Sequence, residues 1–551
     1  MIKRLWQKQS PNETDSPSFD SRSKKQLALV SLCIAALSVF LLCWFFVPKW
    51  ETIDDVGMSM IAHGYGIALV GSPNILFSNV LWGHLVRLIP EINGVLGYSS
   101  ATLGVLVIVG TVTVYGMFRS GVHFLAGVSL FALLLLRPVL FPQFTLNSGF
   151  LLVAAVVCWH LYSRENDKKM LVLGGLLAFL SYLIRDVEFA MVFVVAISLL
   201  PSYRLLARRS VQLVLLALVS AITIAAVVDS RAYQGPEWTQ YRELNVARAP
   251  FTDYGAGSLL KQRPDILARH GYSTNDIDLI SGWFFVDPNL ANPRALKSML
   301  TELGPLPTQV NALTNAWNGL QALWSPPLLV TLLAALVLAI VRPSKRVAAS
   351  WGLCIAIIFV LGLMRRPGII RVYVPMVGLL LIAPLLDGNI AGWRNRLTIG
   401  VLLVAALVNS KQLFSESRSL QIAGEQTRKT LSGFPHSPVV IWGATFPYDA
   451  VYLVVRAPSS AMSYQHYGMG TSTLAPFTLA YAESKAGRGV ATLLAEGKQV
   501  SIMASPPYVV MLEKYCGEHL HGQLSELSRL QMGSAADGQF EISQRRCVQN
   551  Q

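Results

Sequence analysis

Two adjacent carboxylates, Asp54 and Asp55, stand in the stretch WETIDDVGMSMIAHGYG, a few residues beyond the apolar run VSLCIAALSVFLLCWFFV. A carboxylate at a membrane surface can take a proton from an acceptor hydroxyl or amine as a general base. A neighbouring carboxylate can raise that base's proton affinity by like-charge repulsion. The pair could also hold a hard divalent cation such as Mg or Mn. A structural role competes, because Asp55 could N-cap the helix VGMSMIAHG. One aspartate can cap while the other reacts. His63 lies two helical turns past Asp55, about 12 Å along the axis, and reads as a packing residue. No HExxH or CxxC pattern specifies zinc.

Arginines supply the complementary chemistry. In MRRPGIIRVYVP, Arg365, Arg366 and Arg371 precede an apolar run, with Tyr373 close by. A guanidinium fork matches phosphate oxygens, which makes this cluster a phosphate-recognition candidate with headgroup anchoring as the alternative. Arg185 in LIRDVEF is a second candidate for a substrate phosphate or sugar, against a local ion pair with Asp186 or Glu188. The segment SPNILFSNVLWGHLVRLIP mixes Phe77, Leu81, Trp82 and Leu85 with Asn79, His84 and Arg87. It suits an amphipathic helix in the membrane interface, where His84 could meet substrate.

The elements that must position these groups are membrane helices. The 551-residue chain is 53% hydrophobic and only 14% charged, against about 25% charged in soluble domains. Apolar runs recur that are long enough for spanning helices, about eleven of them. They fall near 27–47, 98–118, 122–140, 145–162, 170–184, 188–203, 211–228, 326–341, 349–364, 372–386 and 397–410. The first run lacks the small-residue cleavage site of a signal peptide. Short loops carrying Arg164, Lys168 and Lys169, then Arg204, Arg208 and Arg209, Arg342, Lys345 and Arg346, and Arg394 and Arg396 all fall on one side, together with the basic N-terminal tail 1–26. The positive-inside tendency makes that side cytoplasmic. The net charge of +14 is then mainly a topology signal, and no basic soluble domain points to nucleic acid.

This orientation divides the chain into the tail, a membrane module over 27–410 with external loops 48–97 and 229–325, and an external α/β domain over 411–551. In that domain SPVVIWGA, QVSIMAS and GQFEISQ read as strands, and GVATLLAEGK and PPYVVMLEKYCGEHL as helices. Cys516 and Cys547 are its only cysteines, and in an oxidising compartment they are disulfide candidates. In the 229–325 loop, Ser273 and Asp276 form a capping-box variant, and Pro293 can begin another helix.

Together these features resemble the GT-C superfamily of integral-membrane glycosyltransferases. The resemblance spans nearly the whole chain and is carried by the acidic motif I-D-D-V at Ile53–Val56, the interfacial helices, the spans, the external arginines and the C-terminal domain. It implies a bacterial inner-membrane enzyme that takes a sugar from a polyprenyl-phosphate or polyprenyl-diphosphate carrier. The sugar would pass to a glycan, lipid or protein acceptor outside the cytoplasm, usually with inversion, with one loop aspartate as base. Only Asp54 and Asp55 carry over by position. The WWD-type signature of oligosaccharyltransferases is absent from the sequence. An O-antigen-type polymerase or ligase is the nearest alternative; it needs no first-loop acidic pair, and aspartates remote from the arginines would favour it. A lipid-linked glycan transporter or flippase would require charges deep in the spans and internal repeats. A scaffold protein would tolerate alanine at both aspartates.

Overall fold

The computed structural model describes residues 21–200, 203–306, 311–386, 392–455, 460–535 and 538–549, which leaves most of the N-terminal tail outside the described residues. A helix lies over every predicted span. Among the described residues, six helices are long and apolar enough to cross a bilayer, and Ala312–Trp324 with Pro326–Val341 forms a further pair bent by 78°. Phe124–Leu140 and Ile370–Leu386 are apolar but shorter. Lys168–Ile184 has 17 residues and Asp186–Ala196 has 11. At a rise of about 1.5 Å per residue neither reaches the roughly 30 Å of a hydrocarbon core. The chain is therefore a polytopic helical membrane protein by length and composition.

Phe144–Glu165 is the central helix. It is apolar on every side, and its most apolar stretch is wholly buried. Small residues let its neighbours approach. A Cβ at Gly149 would collide with Pro375 of the Ile370–Leu386 helix and sit 3.0 Å from Glu188 Oε1. Its entry is capped by Gln143, whose side chain accepts from Leu146 N at 3.0 Å. The final apolar helix, Trp393–Thr430, does not stop near 410 but continues as one element for 38 residues toward the C-terminal sheet.

The loops sort to opposite ends of the bundle. At one end Lys24 and Arg119 pair with Glu165. Arg208 Nη1 donates to Asn166 Oδ1 at 2.9 Å there, and Ser198 Oγ donates to the Arg346 carbonyl at 3.3 Å. The aspartate pair, the 229–325 segment and the C-terminal domain gather at the other end.

The C-terminal domain holds a five-stranded sheet in the order β2-β1-β3-β5-β4. Its strands are β1 (Val439–Trp442), β2 (His466–Gly468), β3 (Val500–Ala504), β4 (Gly522–Ala535) and β5 (Gly538–Gln549). β1 runs parallel to both β2 and β3, whereas β5 is antiparallel to β3 and β4. The chain leaves β1 for β2 on one side and returns to β3 on the other. A switch point therefore opens at the carboxyl ends of β1 and β3, the usual place for a ligand crevice in such sheets. Cys516 and Cys547 form a disulfide, with Cα atoms 5.9 Å apart, between the Pro506–Leu520 helix and β5.

Two segments fasten this domain to the bundle. The first loop lies along β2: His466 N donates to Gly66 O, and Leu69 N donates to Phe477 O, each at 3.0 Å. The described residues 229–306 and 311–325 are mostly helical. Ser273 caps Thr274–Ser281 with the reciprocal Asp276 bond of a full capping box, and Pro293 opens Pro293–Leu303. From there Asp276 accepts or shares a proton with His519 at 2.7 Å, Asn275 donates to Met511 O at 3.1 Å, and Tyr515 OH donates to Asp287 at 2.8 Å.

Candidate active site

The helix Ile53–His63 presents its two aspartates to different surroundings. Asp55 is fully buried. Its Oδ1 accepts from Tyr98 OH and from Phe144 N, each at 3.0 Å, and its Oδ2 accepts from Thr52 Oγ1 at 3.1 Å. It does not cap the helix. Thr52 occupies the N-cap position without a side-chain capping bond, and Asp55 lies inside the first turn. Asp55 instead ties the first loop to the starts of the Gly97–Arg119 and Phe144–Glu165 helices. Burial is the main cause that pushes its carboxyl up to about 8. The Tyr98, Phe144 and Thr52 hydrogen bonds oppose this, and the neighbouring Asp54 charge adds to it.

Asp54 points elsewhere. Its Oδ2 lies 3.2 Å from Arg371 Nη1, and its side chain keeps 32% of its surface accessible. It borders a cavity of about 570 Å³, within the usual size of small-molecule sites, about 300–1,000 Å³. The floor comes from the Ile53–His63 helix and Phe77 of the first loop, and one wall from Trp283 of the 229–325 segment. The roof is the carboxyl edge of the C-terminal sheet, through Gly443 after β1, Thr471 after β2 and Tyr508 after β3.

The predicted arginines separate. Arg371 meets Asp54. Arg185 lies within electrostatic reach of Arg371 and Asp54, donates to Phe77 O at 3.0 Å, and packs over the rings of Phe77 and Phe144. Among the described residues it makes no ion pair within 4 Å with Asp186 or Glu188. Glu188 is buried, with neither carboxylate oxygen hydrogen-bonded. It interacts electrostatically with both Arg185 and Arg371. Arg365 and Arg366 point away from the aspartates: Arg365 Nη2 donates to Leu306 O and Arg366 Nη2 to Tyr254 OH, each at 3.2 Å. The positive φ of 65° at Arg365 turns the chain between the helices and sends neighbouring arginines apart.

Two other expected site residues, Tyr373 and His84, take structural or peripheral places, as does His63. Tyr373 is fully buried, and its hydroxyl accepts from Gly368 N at 3.1 Å, which braces the arginine turn. His84 is exposed on the Val80–Leu88 helix and does not border the cavity. His63 accepts from Tyr98 N at 3.1 Å, and burial and Arg87 hold its ring below the usual histidine range. That agrees with a packing role.

The two aspartates do not fit a shared divalent cation. The oxygens of Asp55 are committed to three protein donors away from solvent, and Asp54 faces an arginine. A hard cation needs several free oxygens at 2–2.6 Å or so, and these side chains do not converge to provide them.

Sequence reasoning did not assign Trp283, Thr471 or Tyr508 to the site. For Thr471 and Tyr508 the signal was the strand-then-turn pattern of YGMGTST and MASPPY, which marks strand carboxyl ends; Trp283 carried no such signal. Backbone strain concentrates here as well. Leu76, Trp283 and Ala444 border the cavity with φ of 67°, 72° and 55°. Each such residue costs about 1–3 kcal/mol and persists only where the surroundings hold it. No family model matches the chain, and no curated protein is similar enough to count as a relative.

Proposed function

We propose that the chain is a glycosyltransferase of the GT-C type, with about eleven membrane passes, the short helices Lys168–Ile184 and Asp186–Ala196 being met by a locally thinned bilayer. It would move a sugar from a polyprenyl-phosphate or polyprenyl-diphosphate carrier on the external face of a bacterial inner membrane. The observation that carries this reading is the Asp54–Arg371 contact at the boundary between the helix bundle and the cavity. A base and a phosphate-binding fork then stand side by side, with cations toward the membrane and a crevice on the other side.

In this reaction the acceptor oxygen attacks the anomeric carbon of the donor sugar while Asp54 takes its proton. The bond from that carbon to the phosphate oxygen breaks, and its electron pair leaves on the polyprenyl phosphate. Arg371 stabilises the charge that develops there, with Arg185 adding field. Before the donor arrives, Arg371 is held by Asp54. A phosphate that recruits the guanidinium frees Asp54 and strengthens it as a base, so donor binding itself readies the catalyst. Attack opposite the leaving group inverts the anomeric carbon.

The polymerase or ligase alternative needs no acidic pair beside the arginines, and the 3.2 Å contact favours the transferase. Loops at the site end are also spaced as alternating passes require, and the basic loops cluster at the opposite end, which supports the proposed orientation. The test is transfer from labelled polyprenyl-phosphate sugars by membranes containing the protein. Label should reach an acceptor with wild type and not with Asp54→Asn. Undiminished transfer by stably inserted Asp54→Asn overturns the assignment.

A further inference from the structure

The cavity's chemistry changes sharply across Asp54. On the membrane side stand Arg371 and Arg185. On the cavity side no lysine, arginine or histidine is among the lining residues, whereas Asp54 and Asp449 both are. Asp449 also pairs with Lys49 at 2.9 Å. Both carboxylates are charge-paired, so the crevice offers an anionic ligand no unpaired cation, while their oxygens can still accept hydrogen bonds from neutral hydroxyl groups. Five aromatic side chains, Phe77, Trp283, Phe446, Tyr448 and Tyr508, supply flat apolar surface around it.

Trp283 is the most constrained of these. It is half-buried and holds a left-handed backbone at φ 72°, a conformation that bulky side chains rarely adopt. The Arg248 guanidinium lies 4.2 Å from its ring centroid, and Phe285 packs edge-on at 5.9 Å. Arg248 is itself buried and bonded to Asn245 and Thr252. The indole is thus clamped from behind, with the surface left uncovered bordering the cavity. The Thr471 and Ser472 side chains also line the cavity and make no hydrogen bond to other described residues. A rigid aromatic plate, free hydroxyls and charge-paired carboxylate acceptors, with no unpaired cation among the described lining residues, match a pyranose. Its C–H face meets the electron-rich ring and its hydroxyls meet the polar groups.

We infer that this cavity is the acceptor subsite, that the acceptor is an uncharged saccharide, and that Trp283 is its stacking platform. This rests on the transferase reading and narrows its acceptor to a neutral glycan, with the C-terminal domain serving to enclose it. A protein acceptor or an anionic glycan is disfavoured by the same lining.

Saturation-transfer NMR tests this on the full-length protein in detergent, without donor, so that binding is read apart from catalysis. The probes are maltotriose, cellotriose and chitotriose, with a trigalacturonate and a Ser/Thr-containing peptide beside them. Wild type should give saturation transfer to at least one neutral trisaccharide and none to the other two probes. Trp283→Gly removes the ring and suits the left-handed backbone, so it should fold and weaken binding at least tenfold. Trp283→Phe should recover part of the loss. Thr471→Val, at a half-exposed position, should weaken binding several-fold through the hydroxyl alone. Failure of every neutral trisaccharide, preference for the anionic sugar or the peptide, or unchanged binding in both Trp283→Gly and Thr471→Val overturns the inference. Asp54-dependent transfer without saccharide binding would remove this subsite and leave the enzyme reading intact. Trp283-dependent saccharide binding without transfer would do the reverse.

Discussion

Replacing Asp54 by Asn separates catalysis from stability, because the two aspartates differ in what surrounds them. Asp54 and Arg371 are each about a third exposed, with one contact of 3.2 Å between them. Exposed pairs of this kind contribute about 0–1 kcal/mol, so Asp54→Asn should leave the thermal midpoint nearly unchanged. Loss of a positioned general base costs about 10²–10⁴ in rate, equal to about 3–5 kcal/mol of barrier. Asp55→Ala should behave oppositely. Without the carboxyl oxygens, the Tyr98 hydroxyl and Phe144 N lose their acceptor in a buried place, at about 1–3 kcal/mol each. The assay is initial-rate transfer of labelled sugar from its polyprenyl carrier, with melting of each purified variant measured alongside. A well-folded Asp54→Asn with more than a tenth of wild-type rate refutes the base assignment. So does an Asp55→Ala that is as stable as wild type but inactive, because the chemistry would then lie at the buried carboxylate.

Four further outcomes follow from the same geometry. Arg371→Ala should weaken productive donor use about 10–150-fold, the worth of a charged hydrogen bond, with Arg371→Lys retaining part of it; unchanged donor kinetics would place the phosphate elsewhere. Because burial holds the Asp55 carboxyl up at about 8, against an ordinary 3.8, the folded chain keeps a proton that the unfolded chain loses above about pH 4. Its stabilising contribution is full below that point and lost as pH rises through about 8, so the fall in melting temperature over this range should flatten in Asp55→Asn. Reducing Cys516–Cys547, which closes a loop with a sequence separation of 31, should destabilise the C-terminal domain by about 3–4 kcal/mol, read as a lower midpoint in thiol. His84→Ala should change transfer less than two-fold, since the ring is exposed and away from the cavity; a large loss would mean that the exposed helix face meets substrate.

Much of the local structure was legible because it is written in short-range pattern. Apolar runs gave a helix over every expected span, and the capping box and the proline-led helices formed where their residues dictated. Three strands and two helices of the C-terminal domain likewise followed from alternation and turn residues. β2, only three residues long, and β4 escaped. A strand of three residues carries almost no periodic signal, and it exists here because β1 on one side and the first-loop backbone on the other complete its hydrogen bonds.

By itself the sequence determined that the chain is a helical membrane protein, with an acidic pair and arginines at helix ends and two cysteines in its last domain. These follow from composition, hydropathy and spacing, which act locally. Tertiary structure alone decided which aspartate is available. Asp54 and Asp55 are neighbours of identical chemistry, but successive helical residues are rotated by roughly 100° about the axis. That rotation sends one into the bundle under Tyr98 and the other to the cavity. Structure also selected Arg371 from three similar arginines, because the left-handed Arg365 and Gly368 redirect the chain through this turn. Finally, it brought Trp283 and the ends of three strands over Asp54. Those contacts join positions more than 200 residues apart, which no local pattern encodes.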